Sequence, residues 1–272
     1  MASIKYSIKS GIIAFFILSA APVFSETGTS RHFNLGGGWA LSGMRDEGLS
    51  PLYYSGSHIY AGTGVRSFSD TRLLVADMDF ITGIISPAIN PELTDSHMRN
   101  ANMQINVAYL RPAGKVFNDY LSLFLGGSIG SEFAYYRHNQ FINNAITVYS
   151  INTVNLDSQV SYSFSGKQRE YLIALRAYLP VVSFLIRPDF AYIMPSGFLD
   201  HSTGNLKSLI NSMEISSLNR YFSLNSNLYF EYALSNSNAL RVQYKWQFSN
   251  HRDQNRLTSA THGIMLQTMF NF

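Results

Sequence analysis

Asp77 and Asp79 stand two residues apart in the run VADMDF, residues 75–80, among side chains that are otherwise apolar: Leu73, Leu74, Val75, Ala76, Met78, Phe80 and Ile81. Two carboxylates at that spacing suit a catalytic acid pair or a site for a hard cation, and burying them without partners is costly. A strand offers another reading, because residues i and i+2 share a face. Asp77 and Asp79 then look one way, with Leu74, Ala76, Met78 and Phe80 on the opposite side.

The same parity gathers further ions onto the polar face. Glu132, Asp189 and Glu231 join the two aspartates, and Arg66, Arg176, Arg187, Arg241 and Lys245 oppose them. Five acids against five bases read as mutual neutralisation in a confined space, or as a charge-lined constriction that filters small solutes. Gly36, Gly38, Gly62, Gly64, Gly126 and Gly130 fall on that face too, where they either leave space for a solute or an inward-folded loop, or permit tight bending. Gly62-Thr63-Gly64 lacks the third glycine and helix of a phosphate loop.

Histidine chemistry is sparse. No strand carries a His-x-Ser spacing, His58 is the one histidine central to a strand on the polar face, and His32 and His262 lie near strand ends. His97, His138, His201 and His251 fall in loops without metal-ligand spacing, so no metal site, no cofactor and no catalytic residue is expected. There is no cysteine, which excludes disulfides, thiolate metal sites and a cysteine nucleophile.

The elements that must position these ions are strands. Beyond residue 25 no apolar run approaches the 18 or so residues of a membrane helix, whereas period-two alternation recurs almost from end to end. It is cleanest at 240–248, where Leu240, Val242, Tyr244, Trp246 and Phe248 alternate with Arg241, Gln243, Lys245 and Gln247. The polar faces are mostly Ser, Thr, Asn, Gln, Gly and Tyr, and only 14% of the chain is charged. A soluble sandwich turns a more charged face to water; a membrane barrel turns its apolar face to lipid and its polar face to a confined lumen. With a net charge of +3 and scattered basic residues, nucleic acid is not an expected partner. At the N-terminus Lys5 and Lys9, the apolar stretch 11–21 and small residues up to Ser25 form a secretory signal, so 1–25 is expected to be removed and 26–272 to form one transmembrane barrel domain.

The last residues, HGIMLQTMFNF, place Leu266, Phe270 and terminal Phe272 on alternate positions. This resembles the closing strand of bacterial outer-membrane β-barrels, and the resemblance implies recognition of Leu266, Phe270 and Phe272 by the barrel-assembly machinery, with Thr268 a departure from the usual apolar residue. The style of the chain, including RDEGLSPLYYSG at 45–56, is similar to barrels of Bacteroidota-type bacteria.

The expected fold is all-β, a transmembrane antiparallel up-and-down barrel of twelve strands near 31–42, 54–66, 72–85, 101–111, 120–133, 146–154, 157–165, 169–178, 183–194, 221–234, 238–248 and 259–272. Ten strands is the alternative if 143–156 is loop. Periplasmic turns fall at 67–71, 112–119, 155–156, 179–182 and 235–237, and extracellular loops at 43–53, 86–100, 134–145, 166–168, 195–220 and 249–258. Tyr221 and Phe222 then sit at the outer interface. Leu206, Leu209, Ile210 and Met213 recur at helical spacing, so a short helix is expected in the longest loop.

The leading functional expectation is a narrow or gated pore for small polar solutes in a Gram-negative outer membrane, meeting outer-membrane lipid and lipopolysaccharide. A non-transporting barrel that contacts an envelope protein through its outer loops is the alternative. An outer-membrane hydrolase ranks third: omptin-type proteases face an acid pair with an Asp/His pair, and Asp77-Met78-Asp79 with Asp200-His201 is similar in residue type, but Asp77 and Asp79 sit mid-strand and adjacent Asp200 and His201 would point apart.

Overall fold

The computed structural model describes residues 30–88, 96–117, 120–139, 146–166, 169–187, 213–252 and 255–272. The expected leader, the helix at 206–213 save Met213, the Asp200-His201 pair and Asp189 lie outside them.

Alternating residues build long antiparallel strands: β1 Ser30–Asp46, β2 Ser50–Ser69, β3 Arg72–Pro87, β4 Met98–Val116, β5 Leu121–His138, β6 Ile146–Ser165 and β7 Glu170–Ile186. A short β8, Glu214–Ser217, precedes β9 Tyr221–Ala233, β10 Ala239–His251 and β11 Leu257–Asn271. Each long strand pairs with the next in the chain apart from β8, and β1 pairs with β11 from His32↔Asn271 to Asp46↔Leu257. The sheet therefore closes into a barrel of ten strands, and β8 pairs with the far end of β7 on the edge that β9 uses lower down. Closure removes the open edges that hydrocarbon would leave unsatisfied. The shortest barrel strands have 13 residues, about 43 Å at ~3.3 Å per residue. Tilted by about 40°, such a strand rises about 33 Å, enough for a bilayer core.

Each strand separates two environments. Outward positions carry Trp39, Ile59, Ile264 and Leu266, exposed by 59–73%, while inward positions carry Asn34, Asn106, Gln159, Arg176, Asn225, Gln243 and Lys245, all buried. Asp77 and Asp79 point inward, and Leu74, Met78 and Phe80 occupy the other face. The interior is not uniformly polar. Towards the end away from the chain termini it is packed with Met44, Tyr54, Ile85, Met98, Tyr136, Tyr149 and Tyr221, and Leu73, Val75, Leu110 and Phe124 cluster near the terminus end. Tyr221 is thus an inward residue, a correction to its expected interface position, whereas Phe222 is exposed.

Ten strands, the expected alternative, replace twelve, though not because 143–156 is loop. The segments 146–154 and 157–165 are one strand, β6, whose in-out alternation runs unbroken through Asn155 inside, Leu156 outside and Asp157 inside. Asn155 and Asp157 read as turn residues when polarity is taken for a break, but in a polar lumen they are ordinary strand positions: Asn155 donates to Ser128 and Asp157 accepts from Arg176. Likewise 169–178 and the start of 183–194 form one strand, β7. Pro180 is absorbed by a bulge, with Asn155 opposite Pro180 and Val154 opposite Val182, so the missing proline N–H interrupts no regular ladder. These fusions remove the expected turns at 155–156 and 179–182 and move 166–168 to the end that holds the chain termini. Connections at that end are short, 70–71, 117–120, 166–169 and 234–238, whereas the opposite end carries 47–49, 88–97, 139–145, 252–256 and the long passage from β7 to β9.

Because residues 155–157 lie mid-strand, Leu156→Pro removes a ladder bond where both neighbouring strands are paired, at a cost of about 3 kcal/mol or more. The variant is expected to lose the compact, heat-modifiable form seen by gel electrophoresis. A variant that folds like the parent would restore a turn at 155–156.

Candidate functional site: the lumen ion network

Nine of the ten ions singled out by parity are in the described residues, and all nine project into the lumen; Asp189 lies outside them. They form tiers. Nearest the terminus end, Glu231 Oε1 accepts from Arg66 Nη1 at 2.9 Å and from Arg241 Nε and Nη2 at 2.9 and 2.6 Å. Both guanidinium groups also stack over the Tyr229 ring, at 5.4 and 4.4 Å from its centroid. Arg66 and Arg241 are like charges in a confined space, so the shared carboxylate and the electron-rich ring are what keep them there.

Above this tier Arg176 spans the lumen from β7. Its Nε and Nη2 donate to Asp157 at 3.1 and 2.6 Å, Nη1 donates to Asp77 at 3.2 Å and Nη2 to Asn106 at 2.5 Å. Lys245 Nζ donates to Asp79 at 2.6 Å and to Gln104 Oε1 at 2.7 Å. A chain of amides then continues from Gln104 through Gln247 to Glu132, whose carboxylate accepts from Gln247, Asn102 and Tyr149 at 3.2, 2.8 and 3.5 Å. At the opposite end Arg187 donates to Asp46 at 2.6 Å and to the Asn255 carbonyl at 2.6 Å.

The glycines explain how two aspartates fit on one narrow strand face. Gly62 lies directly across from Asp79 and Gly64 across from Asp77. A Cβ on Gly62 would sit 2.7 Å from Asp79 Oδ1, and one on Gly64 2.6 Å from Asp77 Oδ1. The vacated volume is therefore filled by carboxylates on the neighbouring strand, an outcome distinct from both solute space and simple bending. What remains open is small. One cavity of about 50 Å³ lies among Asp77, Asp79, Glu132, Arg176 and Lys245, space for a few waters and no larger solute.

Two acids escaped sequence reasoning. Asp157 was masked by the turn assigned beside it, although the parity of Gln159 and Val160 carried back two residues places it inside; Asp46 sat in an assigned loop that is in fact the end of β1. Histidine contacts also exceed expectation. Ser42 Oγ and His58 Nε2 are hydrogen-bonded across β1 and β2, a pairing that no spacing within one strand reveals. Ser42 faces an interior cavity of about 20 Å³, which holds a water and not an acyl substrate. His138 and His251, expected in loops, end β5 and β10 and face inward, and His138 contacts the Tyr54 hydroxyl at 3.0 Å. Leu266, Phe270 and Phe272 all face outward, and Phe270 stacks on Phe33 with centroids 6.5 Å apart.

The chain is a closed antiparallel β-barrel, apolar outside and ionic within. No family model and no curated protein matches it. Among solved structures it is similar to the translocator domain of the autotransporter NalP from Neisseria meningitidis, with 7% identity, 94% of each chain covered and a TM-score of 0.33. It is also similar to an outer membrane channel from Pseudomonas putida F1, with 8% identity over 90% of this chain and 96% of that one and a TM-score of 0.32. A deletion mutant of the TodX monoaromatic hydrocarbon channel gives 7% identity, 93% and 92% coverage and a TM-score of 0.30. These are bacterial outer-membrane barrels, and at such values none of their activities transfers.

Arg176 and Asp157 are almost fully buried, with side-chain exposures of 3% and 0%. Removing one partner strands the other, so Arg176→Met should destabilise the folded barrel by about 3–5 kcal/mol. Arg176→Met combined with Asp157→Leu should recover part of that loss, the remainder reflecting Asp77, which also loses its partner, as read from reversible urea unfolding in lipid vesicles.

Proposed function

We propose that the chain is exported behind residues 1–25, inserts into the outer membrane of a Bacteroidota-type bacterium, and forms a narrow path for small polar solutes. The observation that carries this reading is the series of ion tiers from Arg66 to Arg187, enclosed by a mostly apolar exterior. An apolar filling would stabilise a purely structural barrel as well or better, since buried ion pairs roughly break even against hydrophobic packing. Charges lining a lumen are what a selectivity device uses. In the described conformation the ion tiers and the apolar clusters towards both ends close the path, so conduction requires the Arg176 or Lys245 contacts and that packing to part. Insertion would proceed through the barrel-assembly machinery, with Leu266, Phe270 and Phe272 as the outward-facing signal.

The small size of the central cavity favours a second reading, a non-conducting barrel that contacts an envelope protein with the loops opposite the termini. Planar-bilayer recording separates the two. On the pore reading the parent gives rare, small openings, and Lys245→Ala gives larger, cation-selective ones, because it leaves Asp79 and Glu132 as uncompensated negative charge beside the cavity. Silence from the parent and from a correctly folded Lys245→Ala variant rejects the pore and leaves the interaction role.

A further inference from the structure

A groove of about 530 Å³ crosses the outer surface of β1–β4 near the loop end, walled by Trp39, Ile59 and Ile84 and bordered by Arg99. It exists because the outward side chains between those walls are short, Ser57 and Thr82. His58, Gly83 and Asn100, at positions that face the lumen, lie beneath it in the sheet. His58 and Asn100 are buried, at 2% and 6% exposure. A Cβ at Gly83 would overlap His58 Nδ1, so glycine is needed for the imidazole to lie there. The β2–β3 ladder is also interrupted here, between Ser55↔Ser86 and His58↔Gly83.

Arg99 is not alone at the border. It lies directly opposite Arg137 on β5, both side chains are exposed, and they are the last outward positions of their strands at this end. Neither forms an ion pair with another described residue. Like charges directly opposite on a sheet repel, and a phosphate, which guanidinium groups bind in a bidentate fashion, would turn that repulsion into attraction. Free phosphate would satisfy the arginines but has no use for the apolar wall beneath them. A lipid has both parts.

We propose that this groove binds a phosphorylated lipid of the leaflet that meets the loop end, its phosphate held by Arg99 and Arg137 and an acyl chain laid along Trp39, Ile59 and Ile84. The assignment rests on the membrane reading above and supplies a specific lipid contact that the reading alone does not.

The test uses the full barrel, delipidated in detergent and titrated with bis-phosphorylated lipid A, with retained adducts counted by native mass spectrometry. The parent should hold one lipid A molecule through conditions that strip phosphatidylcholine, and inorganic phosphate should not displace it. Arg99→Gln with Arg137→Gln should weaken retention about tenfold or more. Arg137→Glu alone, which gives Arg99 an ionic partner, should do the same. Arg111→Gln, which removes an outward arginine at the opposite end that stacks on Tyr109, should change nothing. Relief of a repulsion leaves folding intact, and heat-modifiable migration checks it. Equal retention by the arginine variants, equal loss with Arg111→Gln, or displacement by inorganic phosphate overturns the proposal. If the parent does not enter phosphatidylcholine vesicles at all, the membrane reading has failed; if it enters and holds no lipid A, the groove assignment alone has failed.

Discussion

A barrel of ten strands encloses so little space that every ion placed inside must find a counter-ion, or a set of hydrogen-bond donors as Glu132 does, within one side chain's reach. That constraint organises the rest of the molecule. Arg176 can cross from β7 only because Asp157 lies beside it on β6 and Asp77 faces it from β3, and Glu231 is tolerated between two arginines because Tyr229 offers its ring to both. Desolvation of any one of these charges would cost several kcal/mol, roughly, without its partners. The interior is therefore a cooperative set and not a row of independent residues.

Volume is allocated by the same rule. Gly62 and Gly64 supply no side chains so that Asp79 and Asp77 can occupy their places, and Gly130 lies against Thr153 in the same manner. Small residues on one strand are matched to polar side chains on the next, which leaves a central cavity of only about 50 Å³. On the outside, short Ser57 and Thr82 leave a groove between Trp39, Ile59 and Ile84, beside two arginines that form no ion pair with another described residue.

Parity made much of this legible. Where one face of a strand is polar and the other apolar, a reader of the chain can assign inside and outside without knowing the partners, and Asp77, Glu132, Arg241 and Lys245 follow from that alone. Parity fails where a polar residue imitates a turn, as at Asn155 and Asp157, and where a proline imitates a strand end, as at Pro180. It also predicts no contact between strands: that Lys245 meets Asp79, 166 positions away, or that Ser42 meets His58, depends on closure and register. The inward tyrosines show a further limit, since Tyr54, Tyr136 and Tyr149 are apolar enough to be taken for the lipid face and yet fill the lumen.

Everything rests on two solvents meeting two faces of one sheet. The chain has no cysteine, so single cysteines carrying a spin label can be walked along β10 from 240 to 247 in lipid vesicles. Labels at Leu240, Val242, Tyr244 and Trp246 should collide with oxygen dissolved in the acyl chains and be shielded from a water-soluble nickel relaxant, and labels at Gln243 and Gln247 should show no such lipid contact. A flat accessibility profile, without a period of two, would contradict the account.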